Sequence, residues 1–489
     1  MLTLFLLLPA TGAALLAITR RADEARAKWI ALIFSSLAFA LSVLIFVRFD
    51  PDIAGYQFVD RFTWINTHQS GFTVQYALGV DGLSAPMVLL TGLLSLASVL
   101  VSWRVELRPR EYYAWLLLLE SAVGGVFMSL DLIQFFLFWE LELLPMYLLI
   151  SIWGTGRKEY SAMKFVLFTI VGSAFMLVGF LVLGLAGGSF DIAVLTAQPP
   201  QQALVPLSLV FWAVMAAFLV KLPVVPFHTW LPDAHTDAPT AVSVLLAGVL
   251  LKMGGYGILR IALPILPGEA RDFRVLLAAI AAVSVVYGAI LTLQQRDLKR
   301  LIAYSSVSHM GYVLLGVATM GAVGLSGAAL QMFTHGTITG LLFITVGLIY
   351  DRTHTRQLPE LSGLLHRLPV LGTVTIVAGL AALGLPGLSG FVAEITVFLG
   401  ALDAHPAATI TSVFGVVLAA GYILWALQRV FTGPPAARWA QLTDATAWWE
   451  RTVMAGMVLA IVAVGVYPAL LTTAVESGVA PIAAIVGAG

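Results

Sequence analysis

Apolar runs long enough to cross a lipid bilayer follow one another along nearly the whole chain, and this spacing leaves few folds open. A helical crossing needs about 20 apolar residues. By that measure about fourteen segments qualify: 2–18, 29–47, 83–103, 112–130, 132–152, 161–186, 205–231, 238–264, 274–294, 299–320, 324–350, 369–402, 407–431 and 451–474. Lipid cannot satisfy backbone N–H and C=O groups, so crossings of this length must be helices. The predicted class is an all-α polytopic membrane protein. Composition agrees, with 60% hydrophobic and 11% charged residues, where soluble chains carry about a quarter charged.

The remaining composition excludes several chemistries. Basic and acidic residues number 26 each, so nothing favours nucleic acid. Cysteine is absent, which excludes disulfides, thiol catalysis and Cys-ligated iron–sulfur clusters in this chain. No glycine-rich phosphate loop follows a strand, so nucleotide chemistry is left to other proteins. The first run, Met1 to Ile18, precedes its positive cluster (Arg20, Arg21, Arg26, Lys28). That order is wrong for a cleaved signal and predicts a retained first helix with its N-terminus outside.

The distribution of basic residues supports this orientation. With fourteen crossings, Arg48, Arg61, Arg260, Arg271 and Arg274 fall in outer loops, and Lys221 and Lys252 fall in no loop. All the others, Lys299 among them, collect on the inner side, as cytoplasmic loops do. Two intramembrane lysines therefore need another explanation. An ammonium at the bilayer centre costs roughly 2.5–3.5 kcal/mol on insertion scales. Lys221 also stands beside Pro223 and Pro226, where a broken helix must face protein or a water-filled cavity.

A second break is predicted at Leu385-Pro386-Gly387 in the twelfth segment, five helices after the first. An odd offset inverts orientation, so helices 4–8 (residues 111–265) and 9–13 (266–432) are predicted to be inverted repeats. Helices 1–3 (1–110) precede them and a last helix (433–489) follows. The polar connections 48–82, outside, and 432–450, inside, are too small to be domains.

Buried ionisable residues carry the functional reading. Glu140, in Phe138-Trp139-Glu140, lies about 200° around a straight helix from Glu142, so one face cannot use both. Glu140 is the predicted partner of Lys221, with Glu142 nearer a packing surface and Glu120 a further candidate. An amine releases its proton near neutral pH only if burial disfavours the charged form by roughly 4 kcal/mol. A glutamate that approaches and withdraws would switch that release. The alternative is a permanent salt bridge. Lys252, beside Met253-Gly254-Gly255, is placed too deep to snorkel. Gln331, His335 and Thr339 make a polar stripe at helical spacing, His309 shares a face with Ser305 and Tyr312, and His228 follows the first break. Each histidine alone could be a satisfied core residue; together they suggest a hydrated proton path. Glu394 lies past the second break. His228 and His235 lack metal-ligand spacing. The available chemistry is movement of protons or cations.

These residues resemble a known family. Phe138-Trp139-Glu140, Pro145-Met146-Tyr147, the run from Lys221-Leu222-Pro223 through Pro226-Phe227-His228-Thr229-Trp230-Leu231-Pro232-Asp233-Ala234-His235, and Ala238-Pro239-Thr240 are similar to the antiporter-like proton-channel subunits of respiratory complex I. Leu250-Leu251-Lys252, Ala303-Tyr304-Ser305-Ser306-Val307-Ser308-His309-Met310-Gly311 and Ser389-Gly390-Phe391-Val392-Ala393-Glu394 extend the likeness. Glu394 where relatives carry lysine, the lack of a long lateral helix, and Gly79-Val80-Asp81-Gly82-Leu83-Ser84 resemble the branch that holds subunit M of NADH-quinone oxidoreductase, called chain 4 in mitochondria.

The resemblance implies two inverted five-helix repeats, Glu140–Lys221 as the coupled pair, Lys252 as central carrier and Glu394 as the terminal carrier toward the outside. His228, His309 and His335 would line the hydrated axis between them. It also implies no cofactor or metal in this chain, FMN and iron–sulfur clusters on partner subunits, and quinone bound elsewhere. The neighbours would be L-like and N-like antiporter-like subunits in a bacterial inner membrane, or a thylakoid-type one. The competing readings are a subunit of a multisubunit cation/proton antiporter, a membrane-bound hydrogenase subunit, and a structural linker with static charges.

Overall fold

The computed structural model describes residues 1–18, 26–67 and 72–487. Arg20 and Arg21, counted above as inner-side charges, lie outside the described residues. Among the described residues, eleven helices are long and apolar enough to cross a membrane, and Leu2–Ile18, Leu207–Lys221 and Pro369–Ala382 are shorter apolar helices. The most apolar windows of Thr240–Ile265 and Ala322–Thr353 are 100% buried, against 28% for Ala27–Arg48. Helices that carry polar and charged side chains must turn them away from lipid, so these two, which hold Lys252 and His335, form the centre with Leu298–Ala318. Ser84–Val101 is also largely buried, while helices such as Ala27–Arg48, Lys158–Gly187 and Pro406–Phe431 face outward with apolar surface.

One addition to the all-α expectation lies in the outer connection 48–82, read above as a polar loop. It folds into an antiparallel hairpin, Gln57–Thr67 paired with Phe72–Val80. The β-branched and aromatic residues Phe58, Val59, Phe62, Thr63, Trp64 and Ile65 are a strand signal that membrane-span counting passes over. Asp60 ties the hairpin to the first helix, accepting from the Thr3 N–H at 2.9 Å and from the N-terminal amine at 3.2 Å.

Both predicted breaks are present. The seventh segment stops at Lys221 and resumes as Trp230–Asp237; the twelfth divides into Pro369–Ala382 and Ser389–Ala404. Gly384 and Gly387 supply the second turn with φ of +75° and +89°, a region glycine enters without strain. Two further interruptions correct the sequence reading. The fifth segment, expected as one helix over 132–152, is two helices, Leu132–Leu141 and Leu143–Trp153, meeting at Glu142. Pro145 has no N–H for the Leu141 carbonyl, and its ring crowds that group. The last segment, expected over 451–474, ends at Val466 because Pro468 disfavours helix at Tyr467. A separate helix, Ala469–Gly487, follows and lies across the outer end of the bundle. A Cβ at Gly82 would sit 1.8 Å from the Ala474 carbonyl oxygen, so this approach requires glycine.

A local motif occurs twice. Asp131 caps Leu132–Leu141 by accepting from the Ile133 and Gln134 N–H groups, and forms an isolated antiparallel bridge with Asp191. Asp297 caps Leu298–Ala318 by accepting from Lys299 and Arg300, and bridges Gln357 in the same way. In both, the bridged residues are equally far apart in sequence. Asp131 stands at the outer end and Asp297 at the inner end.

Candidate functional site

The glutamate that meets Lys221 is the one at the junction of the two halves of the fifth segment. Lys221 and Glu142 are both fully buried, and Lys221 Nζ donates to Glu142 Oε1. The rings of Trp139 and Phe165 flank the ammonium at 5.4 and 5.1 Å. The expected Glu140–Lys221 pair is thus replaced by Glu142–Lys221. Helical spacing puts residues 140 and 142 on different faces, and it is the face of Glu142 that turns to Lys221. Glu140 is only half-buried, and its Oε1 is buried without a hydrogen-bond partner. Glu120 stands apart on Pro109–Met128, buried beside the Ser35 hydroxyl.

Lys252 sits at the centre, fully buried. Its helix contains π-helical turns at Leu246–Leu250 and Ile258–Ala262, and such widened turns leave carbonyls without their α-helical donors. Lys252 Nζ donates to the Ala247 carbonyl and lies 2.7 Å from His335 Nδ1. The His335 and His309 rings are 5.6 Å apart, and His309 Nδ1 is 3.3 Å from Glu394 Oε1. The structure therefore brings Lys252, His335, His309 and Glu394 into one row. Around it lies a void of about 10 Å³ lined by Ser305, Gln331, Thr334, Thr339 and Gly390 as well as the row's histidines and Glu394. That is about the space of one water molecule. Gln331 Oε1, Thr334 Oγ1, His309 Nε2 and His335 Nε2 are buried there without protein partners. The turn of the second break reaches the end of the row, since a Cβ at Gly384 would lie 2.7 Å from Glu394 Oε2.

The other expected residues are placed differently. His228 lies within the first break with its ring 5.4 Å from that of Tyr287, and no described hydrogen bond joins it to the row. His235 was considered only as a metal ligand, yet it is fully buried and stacked on Phe343 at 4.6 Å, with both ring nitrogens unpartnered. Its place in the motif between Lys221 and Lys252 was the available signal. Lys299 and Arg260, assigned above to loops, are each 5% exposed. Lys299 Nζ donates to the Ala238 carbonyl at 2.7 Å near the inner end, and Arg260 pairs with Asp81 near the outer end. Both stand within predicted spans, 238–264 and 299–320, but close to a span end, where a charge is counted with the adjoining loop. Among the described residues, no group of three or more His, Asp or Glu side chains could hold a metal ion.

The sequence pattern of the transmembrane subunits of NADH:quinone oxidoreductase and Mrp antiporters matches residues 129–419. The chain is 40% identical to NADH-quinone oxidoreductase subunit M of Rhodobacter capsulatus, over 98% of this chain and 96% of that one. It is 41% identical to an NAD(P)H-quinone oxidoreductase chain 4 of Thermosynechococcus vestitus, over 96% and 89%. A chain of respiratory complex I from Thermus thermophilus with bound NADH superposes with a TM-score of 0.90 at 31% identity, covering 100% of both.

Proposed function

Because the chain belongs to the NADH:quinone oxidoreductase/Mrp antiporter family of transmembrane subunits, we propose that it translocates protons as the subunit M (chain 4) component of a quinone-reducing respiratory complex. The observation that carries this is the buried row Lys252–His335–His309–Glu394 around a water-sized void. Each member can hold or release a proton, and the spacings suit transfer directly or through one water.

The first break supplies the drive. Glu142 holds Lys221 in its charged form, and withdrawal of the carboxylate leaves an unpaired buried ammonium, which burial forces to release its proton. Moving one charge against 100 mV takes roughly 2.3 kcal/mol, less than the few kcal/mol that breaking a buried pair involves. Glu140, half-buried beside the kink, is the second carboxylate available to this switch. His235, on the resumed half of the broken helix, would pass protons between the lysines, and Glu394 would discharge outward. His228, within the break, would border the hydrated axis. The paired Asp131 and Asp297 motifs support reading residues 111–265 and 266–432 as inverted repeats, between an N-terminal unit (1–110) and the C-terminal segment.

Electron transfer belongs to partner subunits, with FMN and iron–sulfur clusters there and quinone bound outside this chain. L-like and N-like antiporter-like subunits are its membrane neighbours, in a bacterial inner membrane or a thylakoid-type one. The stand-alone antiporter reading is favoured less, because relatives named subunit M and chain 4 match nearly the full length at 40% and 41% identity. Lys252→Ala in the assembled complex should abolish proton yield per electron while NADH oxidation by an artificial acceptor survives. Normal proton yield from that variant would sink the proposal.

A further inference from the structure

Arg260 ends a second line of polar groups that starts at Lys252. Lys252, Tyr256 and Arg260 follow at four-residue steps on one helix, hence on one face, and Tyr256 is the only polar side chain between the two cations. Arg260 donates to Asp81 Oδ1 and, from Nη1, to the Tyr56 hydroxyl at 3.2 Å; its Nε donates to the Tyr256 hydroxyl at 3.2 Å. The two tyrosine rings flank its guanidinium at 5.3 and 5.4 Å. The Tyr256 hydroxyl donates to the Phe127 carbonyl at 2.9 Å. Beyond this cluster opens an outer cavity of about 390 Å³ that includes Tyr56, Asp81, Arg260 and Ser477 in its lining.

Outer water filling this cavity would reach to within two helical turns of the central lysine. That is a hazard for a pump, because protons accumulate on the outer side. The groups in between are poor relays. Arginine does not give up its proton, and the Tyr256 proton is committed to a carbonyl while its oxygen accepts from Arg260. We propose that Arg260 is an outer seal: a fixed cation, anchored by Asp81, that stops outer protons from running back to Lys252 along this helix. A fixed arginine charge excludes protons and cations from pores by the same electrostatics. The proposal rests on the reading of Lys252 as a proton carrier.

The test replaces Arg260 with a cation that can be switched off. In vesicles holding the assembled Arg260→His complex, passive proton conductance is measured with the outer face at pH 5.5 and at pH 8. Histidine is mostly cationic at the first and neutral at the second. Conductance should match wild type at pH 5.5 and rise about tenfold at pH 8, following the loss of charge. Asp81→Asn, which keeps the cation, should stay tight, and adding Lys252→Met to Arg260→His should close the leak. Equal leaks at both pH values, no leak at either, or a leak that survives Lys252→Met would each overturn the seal. If Arg260→His does not assemble, Arg260→Gln with Asp81→Asn should leak at both pH values, and a tight membrane overturns the proposal. Lys252→Met alone, read by proton yield, tests the carrier reading separately.

Discussion

The Glu142–Lys221 pair and the Lys252–His335–His309–Glu394 row are both buried charge, but the pair is in direct contact, leaving only Glu142 Oε2 without a partner, whereas the row is spaced around a void. Lys221 has a carboxylate partner and two aromatic faces, with neither charged residue exposed. The row has spaced donors and acceptors, a void, and four polar atoms without protein partners. An ion pair stripped of water is held by geometry and costs several kcal/mol to open. A row of imidazoles with room for water can pass a proton without large motion. The difference separates the part that stores a change of state from the part that conducts.

The largest effect expected from breaking this contrast is at Glu142. Glu142→Gln leaves Lys221 buried and unpaired, which should cost roughly 3–5 kcal/mol of stability and abolish coupled proton release. Thermal unfolding of the subunit in the purified complex reads the first, and proton yield the second. Glu140→Gln should shift stability by less than Glu142→Gln; the reverse order would restore the pair assigned from sequence. Glu142→Gln combined with Lys221→Met should recover most of the stability but none of the pumping, since both charges are then gone.

In the open row, His335→Leu should leave the fold assembled and slow proton release about a hundredfold, the low end for a positioned proton-transfer group. Stopped-flow acidification measurements would show it, and an unchanged rate would remove His335 from the path. Gly254→Ala should destabilise the contact between the broken helix and its neighbour by about 1–3 kcal/mol, read as a lower unfolding temperature of the purified complex. Its Cβ would meet the Phe218 carbonyl oxygen at 2.5 Å and the Leu222 nitrogen at 2.6 Å, backbone atoms with little freedom to move. His228→Ala should have the smallest effect, under about twofold on proton release, because no contact links it to the row; a larger loss would extend the path across the break.

Much of this was legible in the chain. Pro223, Pro226 and Pro386 marked both broken helices, because a residue without an N–H removes a helix hydrogen bond and crowds the preceding turn, although Pro9 and Pro481 stay inside continuous helices. Lys221, Lys252 and Glu394 stood out because a charge inside an apolar run has no inexpensive location. The same logic failed for Lys299 and Arg260, which sit near the ends of apolar runs, where sequence cannot separate a solvated charge from a buried one. The hairpin of residues 57–80 was missed because a count of crossings has no place for strands.

Membrane class, helix breaks and the residue types able to carry protons could all be read from the chain, because they follow from local chemistry: hydropathy, a missing N–H, a titratable group in lipid. Which of those groups meet is a matter of the folded bundle. Folding put Glu142 rather than Glu140 on Lys221, because periodicity sets the two glutamates on different faces without saying which face meets the seventh segment. It also set His335 between Lys252 and His309, and Arg260 over Tyr56 and Asp81. Those contacts join helices and loops tens to hundreds of residues apart, and no pattern along one chain records a distance between its folds.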